Sequence, residues 1–396
     1  MAVSVMPEVL ELETPRQAAA RVAASRAAPA ANAVDREARF PHEALAGWRE
    51  SRLLGALVPR ELGGLGASLT DVLAMTESLA GACAAAGMVF AMHQIQVACL
   101  VRHAGSQAWV TDYLREIAAT QPLIASATSE VGVGGDLRSS IAAVTSTDTG
   151  CLLEKQAPTV SYGVHANAIL VTARRNPEAP RSDQVLLLVR DADYELEATG
   201  VWNTLGMRGT CSPGFKLKAE FAREQILSVP FADIACQTMV PVSHLLWSSV
   251  WLGIAADALA RAHRFVRGEA RQKPGTTPPS ALRLAEAITR LDTLRARIGA
   301  VLGEYEAICA SRDGAEELGR VGWATRINGL KLSASELSVE IVTRALSIIG
   351  IAGYREDGEL SVARHLRDAH SAPLMINNDR INAMNASLLL VQKDLT

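Results

Sequence analysis

Two long stretches without charged side chains limit most strongly what this chain can fold into. Residues 78–101 and 234–256 contain no Asp, Glu, Lys or Arg. Each is long enough to cross a membrane as a helix. However, the first contains His93 and two glutamines, and the second contains Pro241 and His244. We therefore predict that both stretches are buried helices of a large bundle and that the membrane is not a partner.

The composition predicts a globular protein with reduced thiols. Of the 396 residues, 49% are hydrophobic and 20% are charged, and the net charge of −3 offers no basic excess for binding nucleic acid. The six cysteines are scattered without a C-x-x-C pair, so neither a disulfide framework nor a metal site is expected. No basic segment followed by an apolar run occurs near residue 1, so we expect no secretory signal and a cytoplasmic protein.

The first third of the chain has helical periodicity. Residues 8–31 are rich in Ala and Arg, which predicts a surface or frayed helix, and Pro41 opens a second helical stretch. A glycine-rich loop covers residues 59–66, after which Ser68 and Asp71 can cap the next helix. Apolar residues then recur at helical spacing to about residue 118.

The pattern changes near residue 121. Short apolar runs separated by turn residues occur at 123–127, 168–173, 185–189 and 215–217, which predicts a small antiparallel β unit ending near residue 235. Long helices are predicted at 242–267, 280–311, 315–349 and 372–394. The fold class is therefore α+β, with an N-terminal helical domain (1–120), a middle β domain (121–235) and a C-terminal helical bundle (236–396).

General motifs do not assign a chemistry. The sequence has no P-loop, no G-x-G-x-x-G between a strand and a helix, no H-E-x-x-H and no G-x-S-x-G.

Five segments in order are similar to those of one enzyme family, the acyl-CoA dehydrogenases. Residues 128–136 resemble its T-E-x-x-x-G-S-D segment, and residues 205–212 resemble its L-G-x-R-x-S/T signature. The other three are the glycine loop at 59–66, the turn at 350–354 and the Arg-Asp-Ala at 367–369. This resemblance covers roughly residues 35–396. It implies an N-terminal helical domain, a middle β domain and a C-terminal four-helix bundle, assembled as a homotetramer or homodimer with FAD.

The resemblance also assigns flavin-binding residues. Thr128 and Ser129 lie in the segment that contacts flavin in the family, and Ser161 aligns with a second flavin-contacting hydroxyl. Thr159 falls where the family often has an aromatic residue over the ring.

The far end of the FAD is expected at residues later in the chain. Arg267 and Arg271 are alternatives for the arginine that meets the pyrophosphate of a neighbouring subunit. Gly350 and Gly353 would allow the backbone to approach the dinucleotide closely. Ser347 and Ile351 depart from the Gln and the second Gly of the family.

The catalytic carboxylate of the family is missing. Counting nine residues from Arg367 places Ile376 where the family has the Glu that removes the proton alpha to the thioester carbonyl. A second position used by some branches is occupied here by Ser243. Replacement bases to consider are Asp379, His370, His244 and His93. Asn377 and Asn378 cannot accept the proton but could donate hydrogen bonds.

Three functions follow from the resemblance. The first is an FAD-dependent oxidoreductase acting on an acyl thioester of CoA or a carrier protein, with an electron acceptor flavoprotein. The second is a flavin monooxygenase of the same fold that uses reduced flavin and O2 and needs no base for the alpha proton. The third is a flavin-binding relative without turnover. Gly135 stands where the family often points a Ser at the thioester arm, and His244 is an alternative contact for a substrate phosphate.

Overall fold

The N-terminal part of the chain is helical, as predicted. The computed structural model describes residues 13–392, so the ends of the predicted first and third domains lie outside the described residues. The helices of this part are α1 (Pro15–Val22), α2 (Ala28–Arg36), α3 (His42–Glu50), α4 (Leu69–Ala82), α5 (Ala84–His103) and α6 (Ala108–Thr120), with a π-helical turn at Ala23–Ala27 between α1 and α2. Ser68 caps α4 in a capping box with Asp71, as the sequence predicted.

The alanine-rich start of the chain is more buried than predicted. Ala18, Ala19 and Val22 are almost inaccessible to solvent, and α1 packs against α4. Small side chains allow two helices to approach closely, so an alanine-rich face can be a packing face. The other side chains of residues 15–31 are mostly exposed, so these residues form surface helices with one buried face, and residues 8–12 lie outside the described range.

The two charge-free stretches form core helices. The helical segments Ala84–His103 and Phe231–Gln272 are long and apolar enough to cross a membrane, but 83% and 89% of their most apolar windows are buried within the protein. The first segment is α5, and most of the second is a single long helix of the C-terminal part.

The middle part contains two sheets. Its strands are β1 (Ile124–Ala127), β2 (Thr145–Ser146), β3 (Cys151–Ala157), β4 (Ala168–Arg174), β5 (Gln184–Arg190), β6 (Tyr194–Ala198) and β7 (Phe215–Phe221). One sheet has the order β1-β4-β5 and the other β2-β3-β7-β6.

The prediction of a wholly antiparallel unit was wrong for one pair. β1 and β4 are parallel, with Ile124 opposite Ala168, whereas the other pairs are antiparallel. The chain leaves β1, passes through the second sheet and returns to the starting end of β1 before entering β4. Such a crossover brings two strands side by side in the same direction.

The C-terminal part is a helical bundle. Its helices are α7 (Phe231–Ile234), α8 (Val240–Gln272), α9 (Pro279–Ala310), α10 (Gly314–Leu318), α11 (Val321–Ile349), α12 (Ile351–Tyr354), α13 (Ala363–Ala369) and α14 (Asn378–Leu389). The core of the bundle forms where α8 packs against α11 and α9, and α8 also packs against α4 of the first part.

Two predicted helices have different bounds in the structure. The stretch 315–349 divides into α10 and α11 at Gly319 and Arg320, consistent with the low helix propensity of glycine. The stretch 372–394 becomes helical only at Asn378, because residues 371–377 form turns, and residues 393–394 lie outside the described range. The limits at residues 120 and 235 as borders of independent domains stay a prediction.

Candidate active site

The middle and C-terminal parts meet at two of the segments that carried the resemblance. The backbone N–H of Met207 donates a hydrogen bond of 2.6 Å to Asp368 Oδ1. Gly206 packs so tightly on this region that a Cβ atom there would lie 2.2 Å from the carbonyl oxygen of Arg367. Burial raises the pKa of Asp368 to about 6. We call this contact between residues 206–207 and 367–368 the seam.

We group the residues near the seam into two sets, which we call walls. The β wall consists of residues 128–136, 159–161 and 206–212 of the middle part. The bundle wall consists of residues 367–380 together with His244 and Lys331 from α8 and α11.

Half-buried hydroxyl groups line the β wall. Ser129 follows β1 and its Oγ donates to the carbonyl oxygen of Thr159 at 3.0 Å. Thr128 precedes it and is also half-buried. Glu130 points into the protein instead, where it accepts hydrogen bonds from Ser140 Oγ and from the backbone N–H groups of residues 141 and 142. Glu130 therefore anchors the loop that follows Ser129.

Ser161 belongs to a chain of hydroxyl groups on the same wall. Its Oγ lies 2.8 Å from Ser212 Oγ, which in turn lies 2.9 Å from Thr210 Oγ1. Ser161 is half-buried and Ser212 is buried. The structure thus joins the predicted residue Ser161 to the 205–212 segment. Ser212 was not singled out from the sequence, although the resemblance included it.

Four residues with left-handed backbone conformation lie on the walls or directly beside them. Tyr162, Met207, Cys211 and Ile376 have φ between 44° and 51°. This conformation is uncommon for residues other than glycine, and such residues often cluster at functional sites.

The bundle wall presents an isoleucine at the predicted base position. Ile376 is 46% exposed, and its carbonyl oxygen accepts a hydrogen bond of 2.8 Å from Lys331 Nζ. Lys331 is fully buried and also donates to Ala372 O at 3.1 Å and to Asn378 Oδ1 at 2.6 Å. Burial lowers the pKa of this amine to about 8. Lys331 therefore fixes the turn that carries Ile376.

The sequence analysis missed Lys331, although a signal was present. Lys331 stands four residues after Ile327 and three before Ala334, so it occupies the apolar face of α11. A lysine at a core position of a helix is rare and requires hydrogen-bond partners.

The structure separates the two histidines of the charge-free stretches. His93 Nε2 lies 2.8 Å from Leu54 O, and its Nδ1 accepts from the backbone N–H of Ile124 at 3.1 Å. Both ring nitrogens are therefore occupied by the backbone, and burial lowers the pKa of His93 to about 4. This geometry holds α5 to β1 and leaves no nitrogen for a substrate, which argues against His93 as a base.

His244 keeps one ring nitrogen available. Its Nδ1 donates to Ile327 O at 3.2 Å, and no described residue bonds to Nε2. Burial, reinforced by the charge of Lys331, lowers the pKa of His244 to about 4, so the ring is neutral at pH 7. With the proton on Nδ1, Nε2 carries a free lone pair. The Trp247 ring lies 5.9 Å away, and its buried Nε1–H has no partner among residues 13–392.

The remaining candidates on the bundle wall have different surroundings. Asn378 is buried and donates to Ser335 Oγ at 3.1 Å, so it supports Lys331 rather than facing solvent. Asn377 caps α14 by accepting from the backbone N–H of Asp379. His370 and Asp379 are exposed, and no described side chain or backbone group bonds to their side chains.

One side chain crosses between the walls. Arg380 Nη1 donates a hydrogen bond of 2.6 Å to the carbonyl oxygen of Gly134, on the loop after Ser129. Gly135, the position predicted to face a substrate, lies beside this guanidinium.

The two arginines predicted to meet the far end of FAD lie far along α8 from His244 of the bundle wall. Arg267 and Arg271 are exposed near the end of α8, at least about 35 Å along the helix axis from His244. Gly350 has φ 69° at the end of α11, and Gly353 is buried beside Ile349. The role predicted for Arg267 or Arg271 at the pyrophosphate involves a neighbouring subunit, as the resemblance implies.

The β wall has the donors that a flavin ring requires. Ser161 has a hydroxyl proton left to donate because its Oγ accepts from Ser212, Ser129 can accept while it donates to Thr159 O, and the backbone N–H groups of residues 132–135 donate to no other described residue. Flavin would supply two-electron chemistry, and these residues would hold the polar edge of its ring by hydrogen bonds.

A separate surface cleft of about 400 Å³ lies at the other end of β1. Arg49, Glu116, Asn167 and Arg190 line it. Arg190 pairs with Glu116, and Arg49 donates to Asn167, so its charged groups bind one another. Within residues 13–392 no cluster of three or more potential metal ligands is present.

Comparison with known proteins establishes the family. Residues 10–121 match the family model "Acyl-CoA dehydrogenase, N-terminal domain", and residues 235–376 match "Acyl-CoA dehydrogenase, C-terminal domain". The chain therefore belongs to the acyl-CoA dehydrogenase family of flavoenzymes, as the five segments predicted.

Its relatives include enzymes with different chemistries. The probable acyl-CoA dehydrogenase FadE25 of Mycobacterium tuberculosis is 24% identical, over 98% of this chain and 96% of the relative. L-evernosamine nitrososynthase of a Micromonospora species is 30% identical, over 89% of this chain and 83% of the relative. The FMN-bound structure of TdsC from Paenibacillus sp. A11-2 has a TM-score of 0.81 at 20% identity, over 95% of this chain and 97% of TdsC, and it shows the common fold.

Proposed function

We propose that this protein is a flavin-dependent monooxygenase that transfers one oxygen atom of O2 to a small-molecule substrate. The observation that carries this proposal is the bundle wall, where Ile376 occupies the predicted base position and the nearest buried ionisable side chain is the amine of Lys331. An acyl-CoA dehydrogenase reaction needs a carboxylate within hydrogen-bond reach of the alpha proton. Monooxygenation does not need one.

The overall reaction balances with three inputs. Reduced flavin supplies two electrons, one oxygen atom of O2 is bonded to the substrate, and the other leaves as water after taking up two protons. The protein would receive reduced flavin from a separate flavin reductase.

The residues of the chain would position the reactants. The hydroxyl groups of Ser129 and Ser161 and the free N–H groups of residues 132–135 would bind flavin on the β wall. His244 and Trp247 would bind a polar group of the substrate, because Nε2 of the first accepts and Nε1–H of the second donates. An amine or a hydroxyl group on the substrate matches both atoms.

The relatives support the same proposal. L-evernosamine nitrososynthase is the relative with 30% identity, and the curated relatives also include proteins named dibenzothiophene monooxygenase. FAD remains our proposed form of the cofactor, because Gly350 and Gly353 fit the turn that approaches a dinucleotide in this family.

A second candidate is an FAD-dependent oxidoreductase acting on an acyl thioester, with an electron acceptor flavoprotein. The seam favours it, since Gly206 and Met207 of the family signature are in contact with Arg367 and Asp368. The alignment with FadE25 over nearly the whole chain also favours it.

The experiment that separates the candidates restores the missing carboxylate. The flavin-loaded protein and its Ile376→Glu and Ile376→Gln variants are mixed anaerobically with a panel of acyl-CoA thioesters, and loss of oxidised-flavin absorbance is recorded. We expect almost no reduction in the wild type and in Ile376→Gln. A positioned base contributes about 100- to 10,000-fold, so a gain specific to Ile376→Glu is expected if the cleft accepts the thioester. Fast reduction of the wild type would contradict the monooxygenase proposal and favour the second candidate.

We also propose a homotetramer or homodimer. Ile351, Tyr354 and Leu374 are 69–74% exposed on the C-terminal part, and the first two adjoin Gly350 and Gly353 in sequence. A second copy could cover these apolar side chains and bring Arg267 or Arg271 to the FAD pyrophosphate. Light scattering over a tenfold dilution should give at least twice the mass of the chain, and a monomer throughout would contradict this proposal.

A further inference from the structure

Lys155 occupies a buried position of the middle part. Strand β3 alternates between buried and exposed residues, and Lys155 stands in a buried position of this pattern, between Leu153 and Ala157. Its side chain is inaccessible to solvent. Its amine reaches from the sheet of β3 to the other sheet, where it donates to Thr172 O at 2.6 Å and to Thr172 Oγ1 at 3.0 Å. A lysine is rarely found in such a position and needs hydrogen-bond partners there.

Both neighbours of Ser129 are connected to this amine. On one side, Glu130 Oε2 lies 3.6 Å from Lys155 Nζ. On the other side, Thr172 Oγ1 accepts from Lys155 and donates to Thr128 O at 3.4 Å. Ser129 lies between these two attachments, so its place on the β wall follows from where Lys155 holds its neighbours.

The position of Glu130 depends on the charge of Lys155. Its carboxylate is buried, and it is the only one in residues 13–392 that lies within 4.0 Å of the amine. The charged residues of the adjacent strand β7, at 216, 218 and 220, alternate to the exposed face, and Arg174 of β4 donates to backbone carbonyl oxygens. A buried carboxylate that loses its partner is strongly destabilised. We therefore expect a neutral Lys155 to displace Glu130 and the residues beside it.

We propose that Lys155 is a positioning residue for the flavin, and that its charged amine holds Ser129 where the hydroxyl group can bind the ring. The amine is fully buried, so Lys155 acts through Ser129 rather than by contact with the flavin. This inference rests on the proposed binding of flavin to the β wall and is independent of oxygen transfer. Its test therefore measures flavin affinity, and turnover is not needed.

The first test follows flavin affinity while the amine loses its charge. Burial lowers the pKa of Lys155 to about 8, so the stabilising charge is present at pH 7 and is lost as the pH rises through 8. Apo-protein is titrated with FAD at pH 7 and at pH 9 by fluorescence quenching. At pH 9 about one molecule in ten keeps the charged amine, so the affinity of the wild type should fall by about fivefold to tenfold.

Three variants assign this change to Lys155. Lys155→Met has no amine to titrate, so its affinity should be low at pH 7 and equally low at pH 9. Lys218→Met is the matched control, because Lys218 is an exposed lysine of the adjacent strand, and its profile should match that of the wild type. Ser129→Ala lacks the hydroxyl group that Lys155 positions, so its affinity should not change over this range. Burial also lowers the pKa of Lys331 to about 8, but loss of that charge would act equally in Ser129→Ala.

A double variant separates positioning from general stability. At pH 7, Lys155→Met and Ser129→Ala should each weaken FAD binding by about fivefold to tenfold, and the double variant should be no weaker than either. A residue that only stabilised the fold would weaken binding equally in both backgrounds. If Lys155→Met does not fold, the pH profiles of the wild type and Ser129→Ala decide.

The proposal is overturned if the wild type binds FAD equally well at pH 7 and pH 9. It is also overturned if Ser129→Ala loses as much affinity as the wild type over this range. A wild type that binds no FAD at pH 7 would contradict the proposed flavin binding, and this inference with it.

Discussion

The two walls beside the seam are held by different kinds of interaction. On the β wall, hydroxyl groups such as Ser161 and Ser212 bond to each other, and the buried Lys155 of the same part lies 3.6 Å from the carboxylate of Glu130. On the bundle wall, the buried Lys331 bonds only to neutral acceptors. The β wall has hydroxyl groups at the positions predicted to contact flavin, whereas the bundle wall has Ile376 at the position predicted for the base. The comparison teaches that the two walls can be tested separately, because different interactions hold them.

The largest expected effect is on stability in acid, and it concerns the helical parts. His93, His103, His244 and His365 all lie on helices, and burial lowers the pKa of each to about 4. A histidine whose pKa is lower when folded than when unfolded loses its stabilising contribution as the pH falls from about 6.5 to about 4. Burial raises the pKa of Asp368 to about 6, so near pH 5 this carboxyl is protonated in the folded state and ionised in the unfolded state. Unfolding therefore releases about one proton from Asp368, which partly cancels the protons that the histidines take up.

Unfolding near pH 5 should therefore take up about three protons, which corresponds to about 4 kcal/mol per pH unit. Urea unfolding followed by circular dichroism between pH 4.5 and 7 measures this slope. His244→Gln removes one of these histidines, so the slope should fall by the amount that corresponds to about one proton taken up on unfolding. A free energy of unfolding that is flat over this range would show that these histidines titrate normally.

The second prediction breaks the seam that holds the walls together. Gly206→Val places side-chain atoms where a Cβ would already lie 2.2 Å from Arg367 O, so the backbone must move. We expect a loss of about 3 kcal/mol or more in the free energy of unfolding, together with loss of bound flavin. Gly200→Val is the control, since Gly200 is exposed and a Cβ atom added there would have nothing within 4 Å. Equal stability of the two variants would contradict the seam.

The third prediction concerns the bundle wall alone. Lys331→Met removes the donor shared by Ala372 O, Ile376 O and Asn378 Oδ1. Buried acceptors without partners are costly, whereas removal of a buried charge is favourable, so we expect a net loss of about 2 kcal/mol. Turnover should fall while flavin affinity stays within twofold. Lys273→Met, at an exposed position after α8, should change neither. A Lys331→Met variant with full activity would show that the turn does not need this support.

The smallest expected effect is on the β wall. Ser129→Ala and Ser161→Ala should each weaken flavin binding by about fivefold to tenfold, because one neutral hydrogen bond contributes about 1 kcal/mol. Stability should change little, since both residues are half-buried. Ser182→Ala, on the exposed turn before β5, is the control. Unchanged flavin affinity in both variants would mean that the flavin does not lie on this wall.

Local sequence patterns predicted helices and strands well where a single feature, such as an apolar run or a capping residue, marks the element. Continuous apolar runs gave β4 and β5, whose residues are nearly all buried, and the Ser68–Asp71 pair gave the start of α4. The parallel pairing of β1 and β4 could not be predicted in this way, because it depends on where the chain goes between them. The burial of Ala18 and Ala19 was missed because alanine favours helices whether its side chain faces solvent or a neighbouring helix. Its presence therefore does not show which face of the helix is buried.

The candidate site was predictable in part. The resemblance indicated Ser129 and Ser161 by local alignment, and Ile376 by counting nine residues on from Arg367. The bonds of Lys331, Arg380 and Ser212 depend on tertiary contacts between segments far apart in the chain. The two histidines His93 and His244 look alike in the sequence, and only the surrounding carbonyl and N–H groups show which one keeps a free nitrogen.

The reaction of the reduced flavoprotein with O2 tests the central claim most directly. The protein is loaded with reduced flavin, mixed rapidly with O2, and followed simultaneously by O2 consumption and by oxidised-flavin absorbance. If the protein transfers oxygen as proposed, O2 should be consumed before the absorbance of oxidised flavin returns. If both signals change together and all of the O2 appears as hydrogen peroxide, the protein does not hold activated oxygen for transfer to a substrate. The monooxygenase account would then be wrong.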